Sequence, residues 1–296
     1  MTAFSPTFAF LRPIFCNFCT KNFRNSPVPS RPGLDKAPKI PYDRKRNDPI
    51  RSGYIMKLTI LGMNGPFPAP GGATSGYLVT CGDAAVAIDL GSGCLAQLTA
   101  RTAPEKLAAL VLTHWHYDHC ADVLPLIYRL EACAEQPLHL YAPVDESALV
   151  RKAVQQCAKI ILHDITPNSE FRIPNSEFQL SAFPARHPVP ALMYRITCGA
   201  RTLCYTGDTN TVDGLADFAK GADLLLADGL FPAAAWAEGK PHLSAAHCAQ
   251  LAQDAGAKKL VITHLNPVID PETLLKEARA VRIDSVLARI GDEYEI

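Results

Sequence analysis

The sequence contains no run of about eighteen apolar residues, the length a helix needs to cross a bilayer, so no membrane partner is expected. It also lacks a basic stripe. Residues 1–55 carry ten Lys and Arg against three Asp and Glu, and residues 56–296 carry nineteen against twenty-six, so a +7 leader precedes a −7 body within a chain of zero net charge. A body of that sign has nothing with which to track a long phosphate backbone. This argues mildly against a long nucleic acid, which stays possible but unsupported by charge, and favours a small-molecule or short nucleotide ester, although bound divalent ions would reverse the potential locally. The ten cysteines show no framework spacing, and Cys81, Cys94, Cys133, Cys198 and Cys204 lie in or beside apolar runs, where free thiols pack as small hydrophobes. That usage points to a reducing, cytoplasmic setting. Cys16 and Cys19 form a lone C-x-x-C with no second pair, a weak zinc or redox signal.

No acid precedes Asp35, and residues 1–55 are rich in Pro, Arg, Ser and Asn without a sustained period of 2 or 3.6. Such a segment cannot bury a core. Its apolar patch, Phe8 to Phe18, is broken by Arg12 and Pro13 and lacks the continuous h-region of a secretory signal. Met56 directly precedes Lys57-Leu58-Thr59-Ile60-Leu61-Gly62, a strand opening of the kind that starts a domain. Residues 1–55 are therefore read as a disordered leader or a non-native upstream extension, and residues 56–296 as the folded domain.

The body alternates strands and helices. Strands are expected at Lys57 to Leu61, Gly76 to Cys81, Ala84 to Leu90, Leu107 to Leu112, Leu138 to Tyr141 and Lys159 to His163, with helices at Cys94 to Arg101, Asp122 to Cys133 and Glu146 to Cys157. Further strands follow at Gln179 to Phe183, Leu192 to Cys198, Arg201 to Tyr205 and Lys259 to Ile262, so that the second half mirrors the first. Pro-Asn-Ser-Glu-Phe occurs at 167–171 and again at 174–178, a local duplication suited to an edge hairpin.

After the run Leu107 to Leu112 comes Thr113-His114-Trp115-His116-Tyr117-Asp118-His119, three imidazoles and a carboxylate within six residues. At a strand end this is a metal cradle. Read as an extended loop, it points His114, His116 and Asp118 to one side and His119 away, so that one segment feeds two adjacent ions. Imidazole and carboxylate suit zinc, and also manganese or iron. His187, Asp208 in Thr206-Gly207-Asp208-Thr209, and His264 each follow a later strand. Trp115 and Tyr117 sit between ligand positions, where packing is the expected role.

In this order, Asp89, His114, His116, Asp118, His119, His187, Asp208 and His264 resemble the metallo-β-lactamase superfamily, from about Met56 to the C-terminus. The resemblance implies an α/β fold, an αββα four-layer sandwich of two sheets with helices outside, and two divalent metal ions per chain. It implies that His114, His116 and His187 hold one ion, Asp118, His119 and His264 the other, that Asp208 bridges, and that Asp89 orients the metal loop. Asp208 stands where the best-known antibiotic-hydrolysing class has Cys, and His116 where the flavodiiron branch has Glu. Only 56 positions separate Asp208 from His264, too few for the inserted domain of the Artemis-like branch. The chain is most similar to the short relatives of ribonuclease Z, with His242-Leu243-Ser244 opening a helix, Ala245 to Ala255, that leads to the last His. The protruding arm that holds transfer RNA has no counterpart.

The expected activity is ester hydrolysis, with a phosphodiester ahead of carboxylic, thio-, lactone or sulfate esters and a non-catalytic metal-stabilised module last. Water between two divalent ions ionises near neutral pH, and the same ions polarise the oxygen under attack. The catalytic candidates are Asp118, Asp208 and His242, the last as proton donor to the leaving oxygen. A homodimer is compatible with all of this. Because the leader lacks periodicity, a chain starting at Met56 should keep its melting temperature and turnover; a large drop in either would make the leader part of the fold.

Overall fold

The computed structural model describes residues 55–296; the leader expected over residues 1–55, with Cys16 and Cys19, lies outside them but for Ile55. The first half runs β1 (Met56–Gly62), β2 (Gly76–Cys81), β3 (Ala84–Leu90), α1 (Cys94–Thr99), β4 (Ala109–Val111), α2 (Tyr117–Cys120), α3 (Val123–Cys133), β5 (Leu138–Pro143), α4 (Leu149–Gln156) and β6 (Ile160–Ile165). The second half runs β7 (Glu170–Arg172), β8 (Phe178–Pro184), β9 (Leu192–Cys198), β10 (Arg201–Tyr205), α5 (Leu215–Ala219), β11 (Leu224–Asp228), α6 (Ala245–Asp254), β12 (Lys259–Thr263), α7 (Pro271–Val281), β13 (Val286–Leu287) and β14 (Glu293–Glu295).

The strands form two seven-stranded sheets, in the orders β14-β1-β2-β3-β4-β5-β6 and β13-β12-β11-β10-β9-β8-β7. Each has the same grammar. From β14 to β3 the pairings are antiparallel and from β3 to β6 parallel; from β7 to β10 they are antiparallel and from β10 to β13 parallel. Three apolar clusters establish four layers. One joins Leu58, Ile60, Tyr77 and Ile88 of the first sheet to Phe178, Tyr194, Leu203 and Leu226 of the second. Another packs Leu78, Leu110 and Leu140 under Leu98, Leu126 and Val154 of α1, α3 and α4. A third packs Leu225 and Ile262 under Phe218, Cys248 and Leu274 of α5, α6 and α7. The helices therefore lie outside the paired sheets, as the resemblance implies.

Parallel strands need crossovers, and their carboxyl ends collect loops at one end of the sheet. Those loops follow β3, β4, β5, β10, β11 and β12. The hairpins Gly82-Asp83 and Gly199-Ala200 close the opposite end. Local signals also behave as read: the Ser244 hydroxyl caps α6 by accepting from the His247 amide at 3.2 Å. The duplicated segment makes the edge strand β7, and both of its asparagines, Asn168 and Asn175, adopt positive φ. Asn tolerates the left-handed region better than most side chains.

Several expectations are corrected. β4 is three residues long, where six were expected, and α4 begins at Leu149 rather than Glu146. Strand β11 and helices α5 and α7 were not anticipated. The five residues of β11 are buried throughout, so the alternation that marks a half-exposed strand is missing. Cys81 and Cys198 are not free thiols but a disulfide spanning 117 positions and tying β2 of one sheet to β9 of the other. The other six cysteines among the described residues are free. Alkylation without reductant should leave Cys81 and Cys198 unmodified, and Cys198→Ser should cost about 2–4 kcal/mol in denaturant unfolding. Labelling of both before reduction would contradict the cross-link.

Candidate metal centre

The site forms where β4 ends. Residues after Val111 leave the sheet extended as far as His116, and the bond from the His119 amide to the His116 carbonyl, 3.0 Å, then closes a helical turn. The extended reading of Thr113 to His119 thus stops at His116. A turn, unlike an extended segment, swings Asp118 away from His114 and His116 and sends it with His119 to a neighbouring cluster.

Two clusters result, and Asp208 belongs to both. In the first, His116 Nδ1 lies 3.0 Å from His114 Nε2 and 3.1 Å from His187 Nε2. Asp208 Oδ2 is 3.7 Å from His114 Nε2 and 4.0 Å from His187 Nε2. In the second, Asp208 Oδ1 is 3.1 Å from His119 Nε2, and Oδ2 is 3.4 Å from His264 Nε2. Asp118 Oδ2 stands 3.7 Å from both of those nitrogens. The ligating atoms within each group all lie within 4.8 Å of one another.

The far side of the rings is tied down. Nδ1 of His119 donates to Asp89 at 2.7 Å and Nδ1 of His187 to the Pro241 carbonyl at 3.3 Å, which leaves an Nε2 lone pair facing inward. His114 and His264 use Nδ1 against the hydroxyls of Thr113 and Ser75, each at 3.0 Å. His264 has a positive φ, and a Cβ on Gly65 would fall 2.1 Å from its ring, so only glycine allows the first loop to close on it.

These donors fit divalent metals. Three of the five buried side-chain polar atoms without a hydrogen-bond partner among the described residues are His119 Nε2, His264 Nε2 and Asp208 Oδ1. Leaving such atoms unpaired costs about 1–3 kcal/mol each, a cost that a shared cation removes. The nitrogen spacings of the first cluster are near the roughly 3.3 Å edge of a tetrahedron built on zinc–nitrogen bonds of about 2.0–2.1 Å. Burial depresses the pKa of His114 and His264 and brings His187 to about 4, so these rings are neutral, the state that ligates. Burial opposes ionisation of Asp208, but His119, whose own pKa is raised by Asp208, Asp89 and Asp118, outweighs it and holds the carboxyl well below the usual range.

Asp89, predicted to orient the loop, is fully buried and saturated. It accepts from the Thr113 amide (2.8 Å), the Thr113 hydroxyl (2.9 Å), His119 Nδ1 (2.7 Å) and the Tyr205 hydroxyl (3.0 Å). Trp115 is buried and donates to the Pro143 carbonyl at 2.7 Å, a packing role, whereas Tyr117 stands 60% exposed at the mouth.

His242 is brought in beside the clusters, its ring 5.0 Å from that of His264 and 5.4 Å from that of His187. Its Nδ1 donates to Asp228 Oδ2 at 2.7 Å. Burial works against the charged ring, but Asp228 and Asp208 outweigh it and raise the His242 pKa. Asp228, His242 and His264 also converge closely enough to suggest a third metal group. The Asp228 oxygens are already engaged, Oδ2 by His242 and Oδ1 by the Leu230 amide at 3.2 Å, so Asp228 orients His242 instead. Asp228 was missed along with β11. The signal was present, because an apolar run that reaches Asp228 directly before Gly229 resembles the run that carries Asp89 one residue ahead of Leu90-Gly91.

The chain matches the family described as the beta-lactamase superfamily domain over residues 85–265. It is 33% identical to the probable metallo-hydrolase YhfI of Bacillus subtilis, across 81% of this chain and 100% of that protein. The crystal structure of YhfI superposes with a TM-score of 0.77, covering 82% of this chain and 100% of the other at 31% identity. Ribonuclease Z of Methanosarcina acetivorans is 23% identical over 82% of this chain and 98% of its own length. The short form of human tRNase Z shares the fold, at a TM-score of 0.67 and 21% identity over 80% of this chain and 98% of that one.

Asp89→Ala strands the Thr113 amide, His119 Nδ1 and the Tyr205 hydroxyl in the interior. It should cost about 3–5 kcal/mol of stability and about 10- to 100-fold in metal affinity, measured by denaturant unfolding and chelator competition. Unchanged metal affinity would make Asp89 purely a packing residue.

Proposed function

The chain belongs to the beta-lactamase superfamily, and from that membership and the geometry of the site we propose that it is a dinuclear metal-dependent hydrolase of small phosphodiesters, with zinc as the resident ion. The observation that carries this reading is the shared position of Asp208 between two histidine clusters. A structural zinc site is closed by four ligands and has no use for a bridging carboxylate. His114, His116 and His187 would hold one ion, Asp118, His119 and His264 the other, with Asp208 common to both. The ions would supply a nucleophilic water at neutral pH and a Lewis acid for the phosphoryl oxygen. Kinship with a ribonuclease Z supports a phosphodiester as the bond broken.

The remaining steps fall to the side chains. Asp118 turns Oδ2 toward His119 and His264, and Oδ1, which accepts no hydrogen bond among the described residues, can orient the attacking water. Asp228 fixes His242 through Nδ1 and keeps it protonated, leaving Nε2 to give a proton to the departing oxygen. The active-site end excludes bulk water from Asp208, which is 2% exposed, so the charges there act through a low dielectric.

Elemental analysis should find about two divalent ions per chain, and bis-p-nitrophenyl phosphate should be turned over ahead of p-nitrophenyl acetate or sulfate. Asp208→Ala should abolish both metal loading and turnover. His242→Ala should lower turnover by roughly 100- to 10,000-fold on a diester with a high-pKa leaving group, and far less on p-nitrophenolate. One ion with full activity sinks the dinuclear centre, preference for the acetate moves the reading to carboxylic esters, and equal His242→Ala losses on both leaving groups remove its acid role.

A further inference from the structure

Beside the first cluster lies a cavity of about 270 Å³ whose wall includes His116, Tyr117, Asp145, Ala148, Leu149 and Val189. Three loops build it: the one after β4, the one between β5 and α4, and the one between β8 and β9. Because His116 is both a ligand candidate and part of the wall, a group seated here lies one residue from the reacting centre. A larger cavity of about 580 Å³ lies between α7 and the C-terminal strands, and none of the ligand candidates lines it. Adjacency to the chemistry therefore favours the smaller one.

We propose, on the basis of the hydrolase reading above, that this cavity seats a flat aromatic group carried by the substrate, which makes the substrates small aryl- or heteroaryl-bearing phosphodiesters. Its volume lies just below the roughly 300–1,000 Å³ of pockets that bury whole drug-sized ligands, so it suits part of a substrate, such as one flat ring system, rather than the whole. Tyr117 and Leu149 leave 60% and 65% of their surface in water, an arrangement that strands apolar area until a ligand covers it. The Tyr117 ring offers a stacking face, and Leu149, Val189 and Ala148 supply apolar contact. Asp145 adds selectivity: its Oδ1 accepts from the Ser147 amide (2.9 Å) and hydroxyl (2.6 Å), while Oδ2 has no partner among the described residues. A free carboxylate oxygen on the wall favours a ring that carries an N–H or O–H donor.

Calorimetry on the metal-loaded full chain with phenylphosphonate and methylphosphonate tests this directly. The two probes share the anionic head that docks at the ligand clusters, neither is hydrolysed, and only one carries a ring. Phenylphosphonate should bind about tenfold tighter, the scale of a base–aromatic stacking contact. Leu149→Asp and Tyr117→Ala should each remove most of that preference at unchanged metal content. Equal affinities, binding of neither probe, or a phenyl preference that survives both substitutions overturns the proposal. Since no bond is broken, a failure of diester turnover is read separately from a failure of this seat.

Discussion

The buried carboxylate of Asp89 is the constraint on which the site depends. It stands near the end of β3 in one sheet, receives the first residue of the metal loop through Thr113, fixes the tautomer of His119, and takes the hydroxyl of Tyr205 from β10 in the other sheet. One side chain thus couples the registry of two sheets to the direction of a ligand lone pair. A carboxyl with no exposed surface is tolerable only when its acceptor capacity is used, and here four donors use it. The positive φ of Asp89 is the local cost of aiming it at all of them.

Around this hub, precision comes from close backbone approach rather than from bulk. Cβ atoms on Gly65 and Gly91 would lie 2.1 Å from the His264 ring and 2.0 Å from the Asp118 carbonyl. The start of the loop after β1, as far as Gly65, is therefore packed against His264. The same closeness lets Ser75 reach His264 Nδ1 at 3.0 Å and lets the Ser75 amide bond the Asp118 carbonyl, also at 3.0 Å. Ligand candidates from both halves of the chain meet at one end because each sheet repeats the same order of three antiparallel and three parallel pairings.

What was legible in the sequence was local or punctuated. The seven residues Thr113 to His119 carry their chemistry in their spacing, and His187, Asp208 and His264 announce themselves by following strands. The αββα layering was legible only through that order of ligands, since alternation of strands and helices alone permits several α/β folds. Asp228 escaped because β11 is apolar on both faces and reads as an undifferentiated run. The helical turn at Asp118 and His119 escaped because four residues are too few to show a period. The Cys81–Cys198 bond and the seat beside His116 are invisible to any local reading: one joins residues 117 positions apart, and the other is assembled from three separate loops.

The electrostatics of the end that carries the site give the proposed metals a second role beyond chemistry. Asp228 is balanced by His242, but Asp118 and Asp208 face clusters in which burial keeps His114, His187 and His264 neutral, and the body as a whole carries a charge of −7. Without cations such a mouth repels a phosphodiester anion. Two divalent ions set against two carboxylates would leave roughly two positive charges at the focus of a low-dielectric cleft and so would reverse the local field. Substrate attraction, nucleophile generation and the satisfaction of His119, His264 and Asp208 would then all depend on the same occupancy. On the proposed reading, the buried polar atoms without a partner among the described residues would take one from solution, and the negative body, which disfavours long polyanions, would be no obstacle to a small singly charged ester drawn to the centre of that field.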